Sequence, residues 1–555
     1  MRVKNYLLIV FATSIFLSYL LPNHYAPWLS FHQEALAAFA FIVILPYYWG
    51  GEAINVPFGN ILIFFAALPV VQYGVGIVDY FGDAIICALY FLGFYLVYMM
   101  GVRARWSVNL NIKDKVLNSL FLGILFASLL SVGIALHQTL GLQRFSVWLV
   151  ETPAATKAVG NLAQSNHLAS LLFLGLVALD FLYKNKKINK YLLLIGQIYL
   201  SVGLAAAGSR TTFVVFLSII VLALYYLRVH RVSLFPMVGR MAFALLMGYF
   251  FYYEFIDYYH MRDPHTSVDV LTSMDSGRVR LAYINIALRA IKDAPILGYG
   301  VNQVVFLNEY VKGGEYVTYT YFNSVHNLFL DLFIWLGLPL GVFFVFSFGR
   351  ELRAIFLNGR SEMGFILMTG VLVVFVHSML EYPYRYAYFL LPIGFFMGYL
   401  RAKPDKSLSS MKLISQGGDR TFFVIGCFAV LAVLALILEY FPYESEWSDL
   451  AYREAKIGNQ PPRNLPSVYA LTNLSSVTKI YRMHPSEYLD EDNFKDLKKV
   501  ARHNPTGQIL MRLANAQFQR GDYYGYDETM KIYCSTRRSN NCYYDSFSTG
   551  DDKVR

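Results

Sequence analysis

The chain has 555 residues, 56% of them hydrophobic and 17% aromatic, with only 15% charged and a mean hydropathy of +0.43. Soluble domains carry about 25% charged residues, so the polar coat that several water-facing cores would need is missing, and a cytosolic enzyme or a disordered chain is excluded. The 47 Lys and Arg against 37 Asp and Glu leave a net charge of +10, which at this hydropathy reports topology rather than nucleic-acid binding.

Apolar runs of about 20 residues, the length that spans a bilayer as a helix, recur from the N-terminus onward. About thirteen are expected: 5–22, 34–49, 59–77, 82–102, 115–136, 166–184, 190–207, 211–228, 236–253, 325–347, 363–381, 385–401 and 420–440. The first follows Arg2 and Lys4 but has no small-residue cleavage site before Pro22, so it reads as a retained helix and not a signal peptide. Lys and Arg gather at the N-terminus and in 103–115, 184–190, 228–231, 350–360 and 401–420. With thirteen spans every one of these clusters falls on the N-terminal side, which the positive-inside rule makes cytoplasmic.

The opposite side then receives the loop 137–165, the long loop 254–324 and the tail 441–555. The expected division is N-terminal transmembrane helices 1–253, a periplasmic loop 254–324 with an amphipathic helix, C-terminal transmembrane helices 325–440, and a periplasmic helical tail domain 441–555. Within the tail, Gly507–Gly521 has helical apolar spacing with the flavour of one tetratricopeptide unit. Cys87 and Cys427 fall inside spans as apolar fillers, whereas Cys534 and Cys542 in the tail pair as a disulfide if it is extracytoplasmic and are otherwise two exposed thiols.

Basic residues that break the charge rule carry the chemistry. The outer segments are almost free of Lys and Arg except Arg144, Lys157, Arg210, Arg385 and the group Arg262, Arg278, Arg280, Arg289 and Lys292. Arg210 lies in the short turn Gly208-Ser209-Arg210 between two apolar spans, where it either snorkels to ordinary phospholipid phosphates or meets an anionic head group such as a lipid-linked diphosphate. A guanidinium is a planar fork matched to phosphate oxygens. Ser276-Gly277-Arg278, the amphipathic stretch Leu281–Ile291 and Pro295–Gly300 read as a surface helix followed by a glycine turn.

Three further stretches stand at the same face. His326, in Ser324–Asp331, opens the tenth span, where an imidazole suits proton transfer near neutral pH or serves as a structural hydrogen bonder. His377 and Glu381 are four apart on one helical face just before Arg385, so they mark a functional carboxylate or a helix-end ion pair. Gly160–His167 places amides and a histidine where a loop enters a span, fit either to bind sugar hydroxyls or phosphate or to cap the helix through Ser165 or Asn166. No HExxH, paired CxxC, outer DxD, Walker loop or dinucleotide fingerprint occurs, which argues against an ATP-driven pump and a metal-dependent glycosyltransferase.

The order GSRTT (208–212), SGR…AP…GYG (276–300) and His326-Asn327…Gly337 resembles the O-antigen ligase and polymerase superfamily of bacterial inner membranes. GNLAQSNHLASLL (160–172) and HSMLEYPYRYAYFLLP (377–392) are similar to its protein-glycosylating branch, the O-linked oligosaccharyltransferases of pilins and other exported proteins. The resemblance implies an all-α, polytopic, GT-C-like fold with a small helical periplasmic C-terminal domain. It implies transfer of an oligosaccharide from undecaprenyl diphosphate to a Ser or Thr hydroxyl of an exported protein, with no metal or cofactor and with inversion. His326 is then the expected catalytic histidine, and Arg210 with Arg278, or Arg280 in its place, the expected diphosphate clamp. Gln164, Asn166, His167, His377, Glu381, Tyr382 and Arg385 are the expected substrate and acceptor pocket. The expected partners are that donor, the acceptor protein and the bilayer, with no nucleic acid. The expected location is the inner membrane with the N-terminus cytoplasmic and the active site and tail periplasmic. Competing readings are an O-antigen ligase acting on lipid A-core, an O-antigen polymerase, and a lipid-linked glycan transporter. The last predicts charges paired deep in the spans.

Overall fold

The computed structural model describes residues 2–49, 56–106, 110–142, 147–151, 157–260, 272–311, 323–402, 417–458, 461–483 and 488–535. Within them every regular element is a helix. They are α1 (Arg2–Leu20), α2 (Phe31–Ile44), α3 (Pro57–Gly74), α4 (Phe81–Trp106), α5 (Leu110–Thr139), α6 (Ser165–Lys184), α7 (Lys190–Ala207), α8 (Thr211–His230) and α9 (Phe235–His260). Then come α10 (Thr272–Asp293), α11 (Leu328–Asn358), α12 (Glu362–Ser378), α13 (Ala387–Arg401), α14 (Gly417–Glu454), α15 (Thr472–Arg482), α16 (Glu491–His503), α17 (Gly507–Gln519) and α18 (Tyr523–Ser535). Every apolar segment expected from sequence falls on a helix. Among the described residues ten helices are long and apolar enough to cross a membrane, and Asn5–Leu20, Glu362–Ser378 and Ala387–Arg401 are shorter apolar helices. The protein is an all-helical, multi-pass membrane protein. Helices α9, α11 and α14 overrun their apolar windows, continuing to His260, Asn358 and Glu454.

The chain forms two compact units. The first holds residues 1–65, 89–269 and 346–434. Its centre is α6, which is apolar on all sides and packs against α5, α7, α8 and α12. In α6, 89% of the spanning window is buried, against 22% for α8 and α9, so α6 is the hub and those two are the rim. Phe213, Leu217, Val221 and Leu224 recur along one face of α8 and are all exposed, as a lipid-facing stripe requires. The hub carries one deep charge. Asp180 of α6 is paired with Arg240 of α9 at 2.6 Å, and Gln197 of α7 donates to the same carboxylate at 3.2 Å.

The second unit holds residues 66–88, 270–345 and 435–555. In it the Pro295–Gly300 loop is zipped onto a break in α11. Gly337 leaves the helical region (φ 71°, ψ 174°), and Pro339 follows it. The break exposes backbone groups that a neighbouring chain must satisfy. Tyr299 N–H donates to the Ile334 carbonyl (2.7 Å) and Leu338 N–H to the Pro295 carbonyl (2.8 Å). Gln72 clamps the same region, donating to the Trp335 carbonyl and accepting from Val301 N–H.

Helices α15–α18 bury Ile480, Phe494, Leu497, Val500 and Ile509 in one small core, and Leu510, Ala514, Met530 and Tyr533 in another. They are tied to the turn ahead of α4. Thr472 Oγ1 accepts from Gly82 N–H, Asn473 donates to Asp83, and His503 Nε2 meets Asp79 at 2.8 Å. The His503 ring lies between Tyr80 and Phe306, each 4.8 Å away. Glu439 of α14 holds the stretch that leads into α15, accepting the N–H groups of Tyr469, Ala470 and Leu471. Cys534 ends α18 as a disulfide-bonded cysteine; Cys542 lies outside the described residues.

Candidate active site

In the first unit, α7 stops at Ala207 because Gly208 turns left-handed (φ 54°), and α8 starts one residue after Arg210. Ser209 is buried while Arg210 is exposed, so the turn presents its guanidinium outward. The turn is held from below. Ser209 Oγ donates to Asn166 Oδ1 (2.6 Å), and Asn166 Nδ2 donates to Glu381 Oε1 (3.0 Å). Gln164 Nε2 donates to the Tyr382 hydroxyl (3.0 Å). The N-terminus of α6, the end of α12 and the α7–α8 turn are thereby stitched together by amides, which supply a donor and an acceptor from one side chain.

One helical turn along α6, Ser170 Oγ and His377 Nδ1 are 2.7 Å apart. His167 is buried with its ring centroid 5.3 Å from that of His377 and 4.8 Å from that of Tyr386. Arg385 is half-buried in the turn ahead of α13. Glu34 of α2 secures that turn, accepting from Ser30, Trp28, Tyr90 and the Ala387 N–H that opens α13. Burial raises the Tyr382 and Tyr386 phenols above their ordinary values, so both are neutral hydrogen-bonding groups.

In the second unit, His326 stands two residues before α11 with a left-handed backbone (φ 59°). Asp331, fully buried, accepts from Ser324 Oγ and from Val325 N–H, both at 2.8 Å. Ser324 Oγ in turn accepts from His326 N–H (3.0 Å), and Asn327 caps α11 through Phe329 and Leu330 N–H. The imidazole stacks on Tyr283 of α10 (5.9 Å between centroids, 22° between planes). Arg280 is three residues before Tyr283 and shares its helix face. The Arg278 side chain falls outside the described residues. Among the described residues no group of three His, Cys, Asp or Glu is arranged to hold a metal ion.

Residues 195–345 match the O-antigen ligase family, 158–183 the protein glycosylation ligase family, and 365–533 the C-terminal region of virulence factor membrane-bound polymerases. Two proteins of Acinetobacter baylyi are similar along nearly the whole length. A general O-oligosaccharyltransferase is 28% identical over 93% of this chain and 90% of its own, and a ComP-specific O-oligosaccharyltransferase is 23% identical over 92% and 91%. These matches support the likeness to the O-antigen ligase superfamily. It is a glycosyltransferase.

The sequence marks out the main residue set but not its internal wiring. Gln164, Asn166, His167, His377, Glu381, Tyr382 and Arg385 gather in one cluster of the first unit, beside the Arg210 turn. Neither Ser165 nor Asn166 caps α6; Gln164 holds that position, and Asn166 is spent on Ser209 and Glu381. Asn161 is a clamp, accepting from Val150 N–H and donating to the Leu20 and Trp148 carbonyls. The roles of Ser170, Ser209, Tyr283, Ser324 and Asp331 follow from the structure. Only Tyr283 had a sequence signal, its three-residue spacing from Arg280.

Proposed function

We propose that this glycosyltransferase moves an oligosaccharide en bloc from undecaprenyl diphosphate to Ser or Thr hydroxyls of exported proteins such as pilins, at the periplasmic face of the inner membrane. The reading rests chiefly on the end-to-end likeness to two O-oligosaccharyltransferases. Arg210 and one of Arg278 and Arg280 would neutralise the diphosphate as it leaves. His326 would take the proton of the acceptor hydroxyl, whose oxygen bonds to the anomeric carbon from the face opposite the phosphate. The bond from that carbon to the phosphate oxygen breaks, and its electron pair leaves with undecaprenyl diphosphate. One displacement inverts the anomeric configuration. Glu381 and Tyr382 would line the acceptor side, and the charge map would put the tail on the same side as the chemistry.

The test is to express the chain with a defined lipid-linked glycan and offer either an exported Ser-containing protein or lipid A-core. Glycan on the protein, lost in His326→Ala while the variant stays in the membrane at the normal level, is the expected result. Transfer to lipid A-core alone would replace this reading with the O-antigen ligase one, which the match over 195–345 favours. Near-normal transfer by His326→Ala would remove the histidine from the chemistry.

A further inference from the structure

The loop leading into α6 carries a base that the mechanism above leaves unused. Ala158 N–H donates to the Ala206 carbonyl at the end of α7 (3.1 Å), which ties residue 157 to the α7–α8 turn. The Lys157 stem then lies along that turn. Its Cγ, Cδ and Cε are 3.5, 3.7 and 3.7 Å from where a Cβ on Gly208 would stand. Gly208 makes this approach possible twice over, by its left-handed φ of 54° and by lacking a side chain. With Cε that close, the ammonium is one bond of about 1.5 Å further on, beside the turn that carries Arg210 two residues from Gly208. Ser209 between them is buried and fixed by Asn166, so the turn is a rigid platform. A diphosphate carries enough charge for both, the guanidinium as a two-pronged fork and the ammonium as a point charge.

We propose that Lys157 is a second cation for the diphosphate of the lipid-linked donor, held over the Arg210 turn by its stem on Gly208. The inference rests on the reading of that turn as the donor site. The experiment measures steady-state transfer from an undecaprenyl-diphosphate-linked oligosaccharide in membranes carrying the full chain, and inhibition by undecaprenyl diphosphate itself, which has the phosphates and no sugar. Lys157→Met keeps the stem and drops the charge. It is expected to raise the donor KM and the inhibition constant about tenfold, the loss of one charge-assisted contact, with the acceptor KM unchanged. Lys157→Arg is expected to stay close to the parent chain. If Arg210→Ala raises the donor KM while Lys157→Met leaves both constants unaltered, the stem merely packs on Gly208 and the inference falls alone. If Arg210→Ala also leaves both constants unaltered, the donor-turn reading fails and takes the inference with it.

Discussion

A left-handed backbone at a residue other than glycine costs of order 1–3 kcal/mol, and such strain gathers where geometry serves chemistry. His326 carries it at the start of α11, and the surroundings are built to hold it. Asp331 reaches back to Ser324 and Val325, and Ser324 holds the His326 N–H. Removing that carboxylate leaves the Val325 N–H and the Ser324 hydroxyl buried without their acceptor, a loss of about 1–3 kcal/mol concentrated on the histidine. Asp331→Ala is therefore expected to lower kcat at least tenfold while changing the donor KM little, with Asp331→Asn recovering part of the loss. Equal kcat in Asp331→Ala and the parent chain would mean that the imidazole is held by other groups. The histidine itself was legible in the sequence, at the mouth of a span. Its strain was not, because a φ angle follows from what a segment packs against.

Helices do their positioning through breaks as much as through length. In α11 the break at Gly337 lets the Pro295–Gly300 loop reach the helix backbone. A Cβ at Gly337 would stand 2.9 Å from Leu297 N–H, and its φ of 71° already disfavours any side chain. Gly337→Ala is expected to strip transfer activity and to lower the yield of monodisperse protein in detergent chromatography; a normal yield with normal rate would show that the loop does not need the break. In the first unit the Asp180–Arg240 pair joins α6 to α9. Removing one member of a largely buried pair costs roughly 3 kcal/mol, whereas removing both costs less. Asp180→Ala should thus melt earlier than Asp180→Ala/Arg240→Ala, and the reverse order of melting temperatures would argue against the pair as a helix staple. The apolar windows could be read off the chain, along with their order. The glycine break was visible only as a residue type, since many glycines occur in spans without one.

At the scale of the molecule, the tail is integrated with the loop and the α3–α4 turn inside the second unit rather than forming a free appendage. His503 anchors it. Around this imidazole stand Asp79 and Asp83 ahead of and within α4, Lys499 and Arg502 on α16, and Glu309, which pairs with Arg502. The hydrogen bond from His503 holds the Asp79 carboxyl below its ordinary value. A depressed carboxyl stabilises the docked form above its ordinary value of ~3.9, and that contribution is lost as pH falls through the lower folded value. Amide protection factors in α15 and α16, taken relative to the intrinsic exchange rate at each pH, are therefore expected to fall on acidification through that window. In Asp79→Asn this acid-dependent part should shrink, and an unchanged acid profile would exclude the contact as the anchor.

Periodicity and apolar length are properties of the chain itself, so sequence alone determined the all-helical membrane class and the order of the helices. What surrounds those residues is set by segments hundreds of positions away. Asn166 meets Glu381, Gln164 meets Tyr382 and Thr472 meets Gly82 across separations of 215, 218 and 390 residues. Such pairings leave no local pattern, because a hydrogen bond needs only an atom at the right distance, and packing alone decides which atom that is.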